Sequence, residues 1–454
     1  MKKLSTLLLL ALLGVANVSC DDDDSTPTPT PTTPTPTTPT TPVDNNVVTE
    51  ISGTITSDMT LTADKKYLLK GFVYVQAPAK LTIEPGTIIK GDKASKGSLI
   101  IERGAQIIAR GTAEKPIVFT SNQAKGSRKA GDWGGLIILG SAPVNAGSSV
   151  AIEGGVDRLY GGSKADDNSG VLKYVRVEFA GIAYQPDNEI NGITFGGVGS
   201  GTEVDYVQVS FGGDDAFEWF GGTANAKHLI AYKTVDDMFD TDNGYSGTIQ
   251  YAVGISDPNV ADGSKSNGFE SDNNKAGDTA TPNTKARFSN VSLFGPLATS
   301  TTTIRPDFGS GIHFKKNTKI SVYNSVIAGW PIGIYLDGSA VENGATNKEL
   351  NFKNNYIVAS TTPLNVASGS TFNIQDWFAS NNNTLLAANT DAKIEGSFKQ
   401  VGAPTFIPGT GSVLLSGASF ADLTGFDQVD YIGAFGATDW TAGWANFDPQ
   451  NTDY

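Results

Sequence analysis

The sequence contains almost no cysteine or histidine. Among 454 residues there are one cysteine and two histidines, so an intramolecular disulfide is excluded and a structural zinc site is disfavoured. Basic residues are also in the minority, with 33 Lys and Arg against 47 Asp and Glu and a net charge of −14. Such a chain is a poor partner for nucleic acid or an anionic membrane surface, whereas cations and neutral sugars remain possible ligands.

Glycine and proline, by contrast, are abundant. The chain has 52 Gly and 21 Pro, too many for a mostly helical protein, and its 39% hydrophobic content is enough for a large core. From residue 47 onward, short stretches of alternating apolar and polar residues are separated by Gly and Pro, as at residues 50–55 and 80–89. Alternation over so few residues predicts strands with one buried face, so the sequence indicates an all-β protein.

The N-terminus has the composition of a secretory signal. Two lysines precede an apolar run at residues 7–15 and small residues before Cys20, a pattern that is too short to span a membrane stably. Residues 17–20, Asn-Val-Ser-Cys, resemble a bacterial lipobox, with Asn where a Leu-type residue is more usual. The resemblance implies a lipoprotein signal peptide at residues 1–19 and lipidation of Cys20. The alternative is a plain signal peptide with an incidental cysteine.

A linker is predicted between Cys20 and the folded body. Residues 21–24 are four aspartates and resemble the export signal that sends lipoproteins of Bacteroidetes-type bacteria to the outer face of the outer membrane; a solvated charge run is the alternative. Residues 26–42 contain only threonine and proline, which favour an extended conformation over roughly 50 Å. The sequence therefore predicts a disordered, lipid-anchored stalk at residues 20–46 and a folded domain at residues 47–454.

A repeat organises the middle of the chain. The five lines of the repeat are residues 204–225, 226–247, 267–272, 311–315 and 333–337. The first two lines align with an offset of 22 residues, as do the last two, and the third follows after an eight-residue excess. Such a period predicts a solenoid whose coils return to the same place. The longer interval before the fourth line predicts an additional coil or a long loop at residues 275–306.

Two sets of motifs resemble known families. LIIERGAQIIARGT at residues 99–112 and KPIVFTS at residues 115–121 resemble the opening coils of right-handed parallel β-helix proteins, which implies one such β-helix for residues 47–454. GGDDAFEWFGGT and DDMFDTDNGYSG resemble a family of secreted, Bacteroidetes-type surface lipoproteins of no established activity. The second resemblance implies a fold and a surface location, and it carries no residue roles.

A solenoid of this period would align acidic residues on its outer face. Strand alternation points one residue of each line inward and the next outward. The inward residues are Phe217, Phe239, Phe269, Ile312 and Ile334, and the outward residues are Glu218, Asp240, Glu270, His313 and Tyr335. A second outward column holds Phe220, Asp242, Asp272, Lys315 and Asp337. Adjacent coils lie about 4.8 Å apart, so the carboxylates repel unless their pKa values rise, a basic residue joins them or a cation binds.

These carboxylates are candidate ligands for calcium. The predicted metal ligands are Glu218, Asp240, Asp242, Glu270 and Asp272. Calcium takes six to eight oxygen ligands at flexible geometry, which suits the ladder, although the spacing does not form an EF-hand loop. The alternative is a solvated acidic face, with the paired aspartates at 214–215 and 236–237 accepting backbone N–H bonds at turns. We expect His313, Lys315 and Tyr335 to contact a ligand at the end of the ladder.

These features favour a surface lipoprotein that binds glycan or another surface ligand over an enzyme. A β-helix polysaccharide lyase or hydrolase is the alternative. A lyase would use calcium with Lys315 or Arg305 as base, and a hydrolase would use a carboxyl pair such as Asp240 and Glu270. Neither family's complete motif is present, and His313 is expected to offset negative charge rather than act as a base. A structural spacer is a further alternative.

Aromatic residues outside the repeat have two interpretations. Trp133 and the aromatic segment at residues 440–447 could stack on sugar rings. We expect instead that Trp133 covers the core and that the segment caps the last coil, since solenoids need a cap. Residues 371–380 are expected to form a short helix or a loop.

Overall fold

The computed structural model describes residues 48–454, apart from residues 148–149, 186–187 and 422. The predicted signal peptide, the lipidation site at Cys20 and the Thr/Pro stalk lie outside the described residues. Within the part of the chain that is described, no helix is long and apolar enough to cross a membrane.

The fold is a single right-handed parallel β-helix, as predicted. In the described residues, 26 strands form one continuous sheet that winds around an axis, and strands of successive coils pair in parallel. Two further strands form an antiparallel hairpin. The interior of the coils is filled by one long cluster of buried apolar side chains, so the hydrophobic core follows the axis.

Thirteen of the described strands lie before residue 200. They are β1 (Val48–Ile55), β2 (Met59–Leu61), β3 (Lys66–Val75), β4 (Lys80–Ile83), β5 (Ile88–Gly91), β6 (Ser98–Ile101), β7 (Gln106–Arg110), β8 (Ile117–Ser121), β9 (Leu136–Leu139), β10 (Gly170–Glu178), β11 (Ile182–Gln185), β12 (Asn188–Ile190) and β13 (Ile193–Gly196). The antiparallel hairpin is β11 with β12.

The described residues after 200 add the other strands and three short α-helices. The strands are β14 (Glu203–Ser210), β15 (Phe217–Phe220), β16 (Asn225–Tyr232), β17 (Phe239–Asp242), β18 (Thr248–Ile255), β19 (Phe269–Ser271), β20 (Arg287–Phe294), β21 (Ser310–Phe314), β22 (Ser321–Tyr323), β23 (Val326–Ala328), β24 (Ile332–Leu336), β25 (Asn351–Lys353), β26 (Tyr356–Val358), β27 (Thr362–Val366) and β28 (Thr384–Leu386). The helices are α1 (Ser339–Thr346), α2 (Ile374–Ser380) and α3 (Asn389–Ala392).

Several coils in the middle of the solenoid bend at a non-glycine residue in the left-handed backbone region. Tyr206 in β14, His228 in β16 and Tyr251 in β18 have φ values of 55°, 52° and 60°. This conformation costs a non-glycine residue about 1–2 kcal/mol. Here the side chains stack across coils, with ring centroids 4.1 Å apart for Tyr206 and His228 and 4.9 Å apart for His228 and Tyr251. The stacked rings therefore offset part of the cost of the corner in these three coils.

The strand register follows the repeat. Phe217 pairs with Phe239, and Phe239 pairs with Phe269, so the eight-residue excess is accommodated in the loop before β19. Phe269 pairs directly with Ile312. No coil intervenes between these two residues. Residues 275–306 therefore hold β20 and the long loops beside it, and of the two predicted alternatives the loop is correct.

Trp133 has the predicted structural role. Its side chain is 1% exposed and stacks on Phe119 with ring centroids 6.5 Å apart. The indole N–H donates to the carbonyl oxygen of Glu178 at 2.8 Å. A ring that is buried on all sides has no face left for a sugar, so Trp133 belongs to the core.

The prediction that residues 440–447 cap the last coil is wrong. Trp440 stacks on Phe435 and lies against the ring of His228, while Trp444 lies against Tyr174, so both indoles cover the flank of the middle coils. The physical reason is a column of side-chain amides that bind the backbone of residues 416–454, the C-terminal segment. The donors are Gln208, Gln250, Asn290, Asn324 and Asn354. The segment therefore runs back along the solenoid.

Helix α2 covers the C-terminal end of the core instead. Within residues 371–380, Ile374–Ser380 form this helix, which begins after Asn373; the Asn373 side chain accepts a hydrogen bond from the Asp376 amide at 3.1 Å. Phe378 and Trp377 lie over Phe352, with ring centroids 6.0 and 6.4 Å away. The aromatic side chains of α2 thus shield the last coil from solvent.

Candidate functional site

The register brings the predicted acidic ladder together. Glu218 on β15 pairs with Asp240 on β17, and Asp240 pairs with Glu270 on β19. His313 on β21 and Tyr335 on β24 continue the same column. All five side chains point away from the core, because the preceding residue of each line is buried in it. The predicted column is confirmed.

The residues of the second column have different surroundings from one another. Asp242 pairs with Phe220, whose ring lies 6.1 Å from that of Tyr160 under the loop that follows β9. Asp272 follows β19 and accepts a hydrogen bond from Lys316 at 2.7 Å. Lys315 forms its ion pair with Glu270 of the first column. The structure therefore places Asp242 and Asp272 beside the ladder, while Lys315 crosses to it.

Loops enclose the ladder on several sides. Asn191, which follows the β11–β12 hairpin, donates to Glu218 and to Glu153. On the next coil, the Ser264 hydroxyl donates to Asp236 at 2.9 Å. Glu218 is only 8% exposed. Asp240 and Glu270 are half-buried. The ladder is thus a crevice that is closed around Glu218 and partly open at Asp240 and Glu270, and the alternative of a fully solvated acidic face is wrong.

The paired aspartates have the turn role that this alternative assigned to them. Asp215 accepts a hydrogen bond from the amide of Asp237 at 2.8 Å, and Asp237 in turn accepts one from the amide of Asn267. Asp215 and Asp237 are 8% and 4% exposed. These carboxylates therefore fix the turns before β15, β17 and β19 and at the same time add negative charge behind the ladder.

Burial raises the pKa of most carboxyls in this crevice. The pKa of Glu218 lies well above its usual value because of desolvation and then because of the charges of Glu153 and Asp240. Burial and the charge of Glu270 likewise raise the pKa of Asp240. Desolvation is also the main cause that raises the pKa of Asp236 to about 7 and that of Asp242 to about 7. Protonation is therefore one way in which the protein relieves the repulsion.

Glu270 behaves in the opposite way. Burial opposes its ionisation, but the hydrogen bond with His313 and the charge of Lys315 outweigh that effect and lower the pKa of Glu270. His313 lies between two carboxylates, with Nδ1 3.6 Å from Glu270 and Nε2 3.1 Å from Asp337. The ring of Tyr335 stacks on His313 at 4.9 Å, and its hydroxyl donates to Asp337. Lys315 therefore offsets the negative charge of Glu270, and the His313 ring bridges Glu270 and Asp337.

Three overlapping sets of carboxylates have the spacing of a metal site. In each set, one oxygen per residue lies within 4.8 Å of the others; the sets are Asp214, Asp215 and Asp236; Asp215, Glu218 and Asp240; and Asp237, Asp240 and Glu270. Within the described ranges, the Oδ1 atoms of Asp236, Asp240 and Asp272 are buried without a hydrogen-bond partner. Oxygen donors of this kind fit a hard cation such as calcium.

Sequence reasoning missed part of this cluster. The position of the paired aspartates at 214–215 and 236–237 in the repeat predicts a role in turns, and it does not indicate that they join the carboxylate cluster. Glu153 gave no signal, because it lies on a loop outside the repeat. Its carboxyl reaches the cluster through Asn191, and burial raises its pKa to about 7.

Arg305 is the second candidate for a lyase base. Its guanidinium pairs with the carboxylate of Asp307 at 2.7 Å, and its side chain is half exposed.

The raised pKa values predict that the apoprotein is more stable at pH 5.5 than at pH 8. Glu153, Asp236 and Asp242 titrate near pH 7 in the folded state and near pH 4 when unfolded. The folded state therefore binds more protons between these values, so stability falls as the pH rises through this window and stays low above it. Urea unfolding in chelator at both pH values measures the difference.

A matched pair of variants tests the cause of this pH dependence. Asp236→Asn removes one titrating group and should reduce the difference by an amount on the order of 1 kcal/mol. Asp166→Asn changes an exposed carboxyl and should leave it intact. Equal stability at the two pH values, or greater stability at pH 8, would show that the cluster is not held protonated.

Comparison with known proteins agrees with this architecture. A family model described as a pectate-lyase-like β-helix domain matches residues 53–445, which include the whole acidic ladder. Neither the curated proteins nor the solved structures gave a match. The match covers well over half of the chain. The protein therefore belongs to the pectate-lyase-like β-helix domain family.

Proposed function

We propose that this protein is a surface-exposed lipoprotein of the bacterial outer membrane whose β-helix binds glycan and holds a calcium ion in the acidic ladder. Membership of a pectate-lyase-like family supports a role with glycans. The signal sequence, Cys20, the aspartates after it and the Thr/Pro stalk support export, lipid anchoring and display above a membrane.

Lipidation predicts that the anchor depends on one thiol. Cys20→Ser should release the protein from the membrane fraction of the producing bacterium, whereas Ser19→Ala, next to it, should leave the anchor in place. Membrane fractionation measures release, and digestion of intact cells with a protease measures surface display. Retention of the Cys20→Ser protein in the membrane, or protection of the unaltered protein from the protease, would contradict the respective half of the proposal.

The cation proposal depends chiefly on Asp240. This residue belongs to two of the three carboxylate sets, and its Oδ1 atom is buried with no hydrogen-bond partner among the described residues. A buried, unpaired carboxylate oxygen is costly, because it has lost its water without gaining a donor. A cation would satisfy that atom and offset the repulsion from Glu218 and Glu270. Asp237, which belongs to one carboxylate set with Asp240 and Glu270, would supply a further ligand to the cation.

Calcium titration tests this proposal. The chelator-stripped body, residues 47–454, should bind calcium with micromolar affinity, and a free concentration of 100 times Kd should stabilise it by about 2.7 kcal/mol. Calorimetry measures the binding, and thermal unfolding measures the stabilisation. Asp240→Asn should weaken binding at least about tenfold, because the site loses a charged ligand, and Asp166→Asn should not. Absence of heat and of a thermal shift would exclude a calcium site.

A hydrolase is the second candidate, and one specific observation favours it. Asp240 and Glu270 have carboxylate oxygens within 4.8 Å of each other, and their pKa values are shifted in opposite directions. A carboxyl that stays protonated beside one that stays ionised is the arrangement of a glycosidase acid and its partner. The short separation suits a retaining mechanism, in which the ionised group is the nucleophile.

The lyase alternative has less support. A lyase base must be unprotonated when it meets the substrate. Burial lowers the pKa of Lys315, but the carboxylates of Glu270 and Asp272 outweigh it and raise the pKa above the usual value for lysine. Lys315 therefore remains protonated and bound to Glu270. Its charge is better suited to neutralising the ladder than to removing a proton.

Catalysis by the Asp240 and Glu270 pair is tested by the release of reducing ends from a panel of polysaccharides. If the pair is catalytic, Asp240→Asn and Glu270→Gln should each slow hydrolysis by about 10²–10⁴-fold, while Asp166→Asn retains activity. Calcium affinity, measured in parallel, separates loss of chemistry from loss of the cation. No activity from the unaltered protein on the whole panel would leave the binding proposal in place and exclude hydrolysis of those substrates.

A further inference from the structure

A second site lies in a cleft near the C-terminal end of the solenoid. The outer face of β22 and β25 forms its floor, with α1 and α2 along one side and the C-terminal segment at Ser419 along the other. Its volume is about 660 Å³, within the range of small-ligand sites. None of the ladder residues lines it, so we call it the distal cleft.

The floor of the distal cleft is set by the strand register. Val322 and Phe352 pair and are fully buried, so the next pair, Tyr323 and Lys353, points outward on adjacent coils. These two side chains therefore lie side by side, about 4.8 Å apart along the axis. In the described ranges, the Tyr323 hydroxyl has no hydrogen-bond partner and the Lys353 ammonium has no ion pair. Both are free to bind a ligand.

The charge of the distal cleft is opposite to that of the protein. Lys348 and Lys353 line it, and none of its described lining residues is acidic. The chain as a whole carries a net charge of −14. Lys348 also lacks a carboxylate partner in the described part of the chain, whereas the nearby Lys319 pairs with Glu349 at 2.5 Å. Lys353 lies on the floor of the cleft and Lys348 on its wall. Two unpaired ammonium groups in these positions favour an anionic ligand.

The remaining lining has the chemistry of a sugar site. The rings of Tyr323 and Trp377 are partly exposed there, and hydroxyl and amide groups of Ser380 and Asn382 lie beside them. An aromatic ring packs against the apolar face of a sugar, while the polar groups bond its hydroxyls. An inorganic anion would bind to the ammonium groups alone and would gain nothing from the aromatic rings. A site that has both rings and ammonium groups therefore matches an acidic oligosaccharide.

We propose that the distal cleft binds an anionic oligosaccharide through Lys348, Lys353 and Tyr323. The acidic group can be a uronate carboxylate or a sulfate ester, since either accepts hydrogen bonds from lysine. This inference rests on the proposed glycan binding, and it assigns that binding to a site separate from the acidic ladder. Calcium in the ladder is not required for it.

Calorimetry on the full chain tests the inference with four probes: a uronate tetrasaccharide, its carboxyl-reduced neutral analogue, a sulfated tetrasaccharide and inorganic sulfate. We expect one of the two acidic oligosaccharides to bind at least about tenfold more tightly than the neutral analogue, and that difference identifies the acidic group. The Lys348→Gln/Lys353→Gln variant should lose the preference. Lys129→Gln changes an exposed lysine elsewhere and should retain it.

The outcomes separate this inference from the proposed function. Glycan binding that is unchanged in the Lys348→Gln/Lys353→Gln variant, or equal for acidic and neutral probes, would overturn the distal cleft as the site and leave glycan binding in place. Equal affinity for inorganic sulfate would also overturn it, because the sugar would then contribute nothing. No binding of any oligosaccharide would overturn both proposals. Thermal unfolding of each variant confirms that it is folded.

Discussion

The parallel, in-register pairing of successive coils is the constraint on which the acidic ladder depends. It stacks Phe217, Phe239 and Phe269 with ring centroids 5.5 and 5.3 Å apart, and on the opposite face of the same strands it stacks Glu218 and Asp240. The strands cannot relieve the repulsion by slipping, since a shift of one residue would turn every core aromatic outward. The stability of the aromatic stack therefore holds the carboxylates together.

The ladder is neutralised differently along its length. At the C-terminal end of the ladder, Glu270 contacts Lys315 and His313, and these contacts lower its pKa and keep it ionised. At the N-terminal end of the ladder, Glu218 accepts a hydrogen bond from Asn191 and faces Glu153. A proton shared between Glu218 and Glu153 relieves the repulsion there. Asp240 lies between the two ends and has an unpaired buried oxygen. The middle of the ladder is thus where a cation, or a catalytic proton, is needed most.

The sequence predicts the part of the site that repeats and misses the part that does not. The repeat, in which one residue of each line is apolar and the next is polar, is sufficient to align Glu218, Asp240 and Glu270, because the register of a strand follows the apolar pattern that the core requires. The walls of the crevice come from loops of unequal length, and Glu153 reaches the cluster only through tertiary packing. The wrong prediction of a C-terminal cap has the same origin: an amide column binds the C-terminal segment, and those amides lie far apart in the chain.

Electrostatics also governs how an anionic ligand reaches the distal cleft. A net charge of −14 repels an anionic oligosaccharide at long range, but the Debye length at physiological salt is only about 8 Å. Inside that distance, the ligand meets the unpaired ammonium groups of Lys348 and Lys353 rather than the net charge. A calcium ion in the ladder would displace the protons that burial keeps on its carboxyls, so the net charge of the protein would rise by less than two units. Lys348 and Lys353, rather than calcium in the ladder, should therefore determine whether an anionic ligand is attracted to the distal cleft.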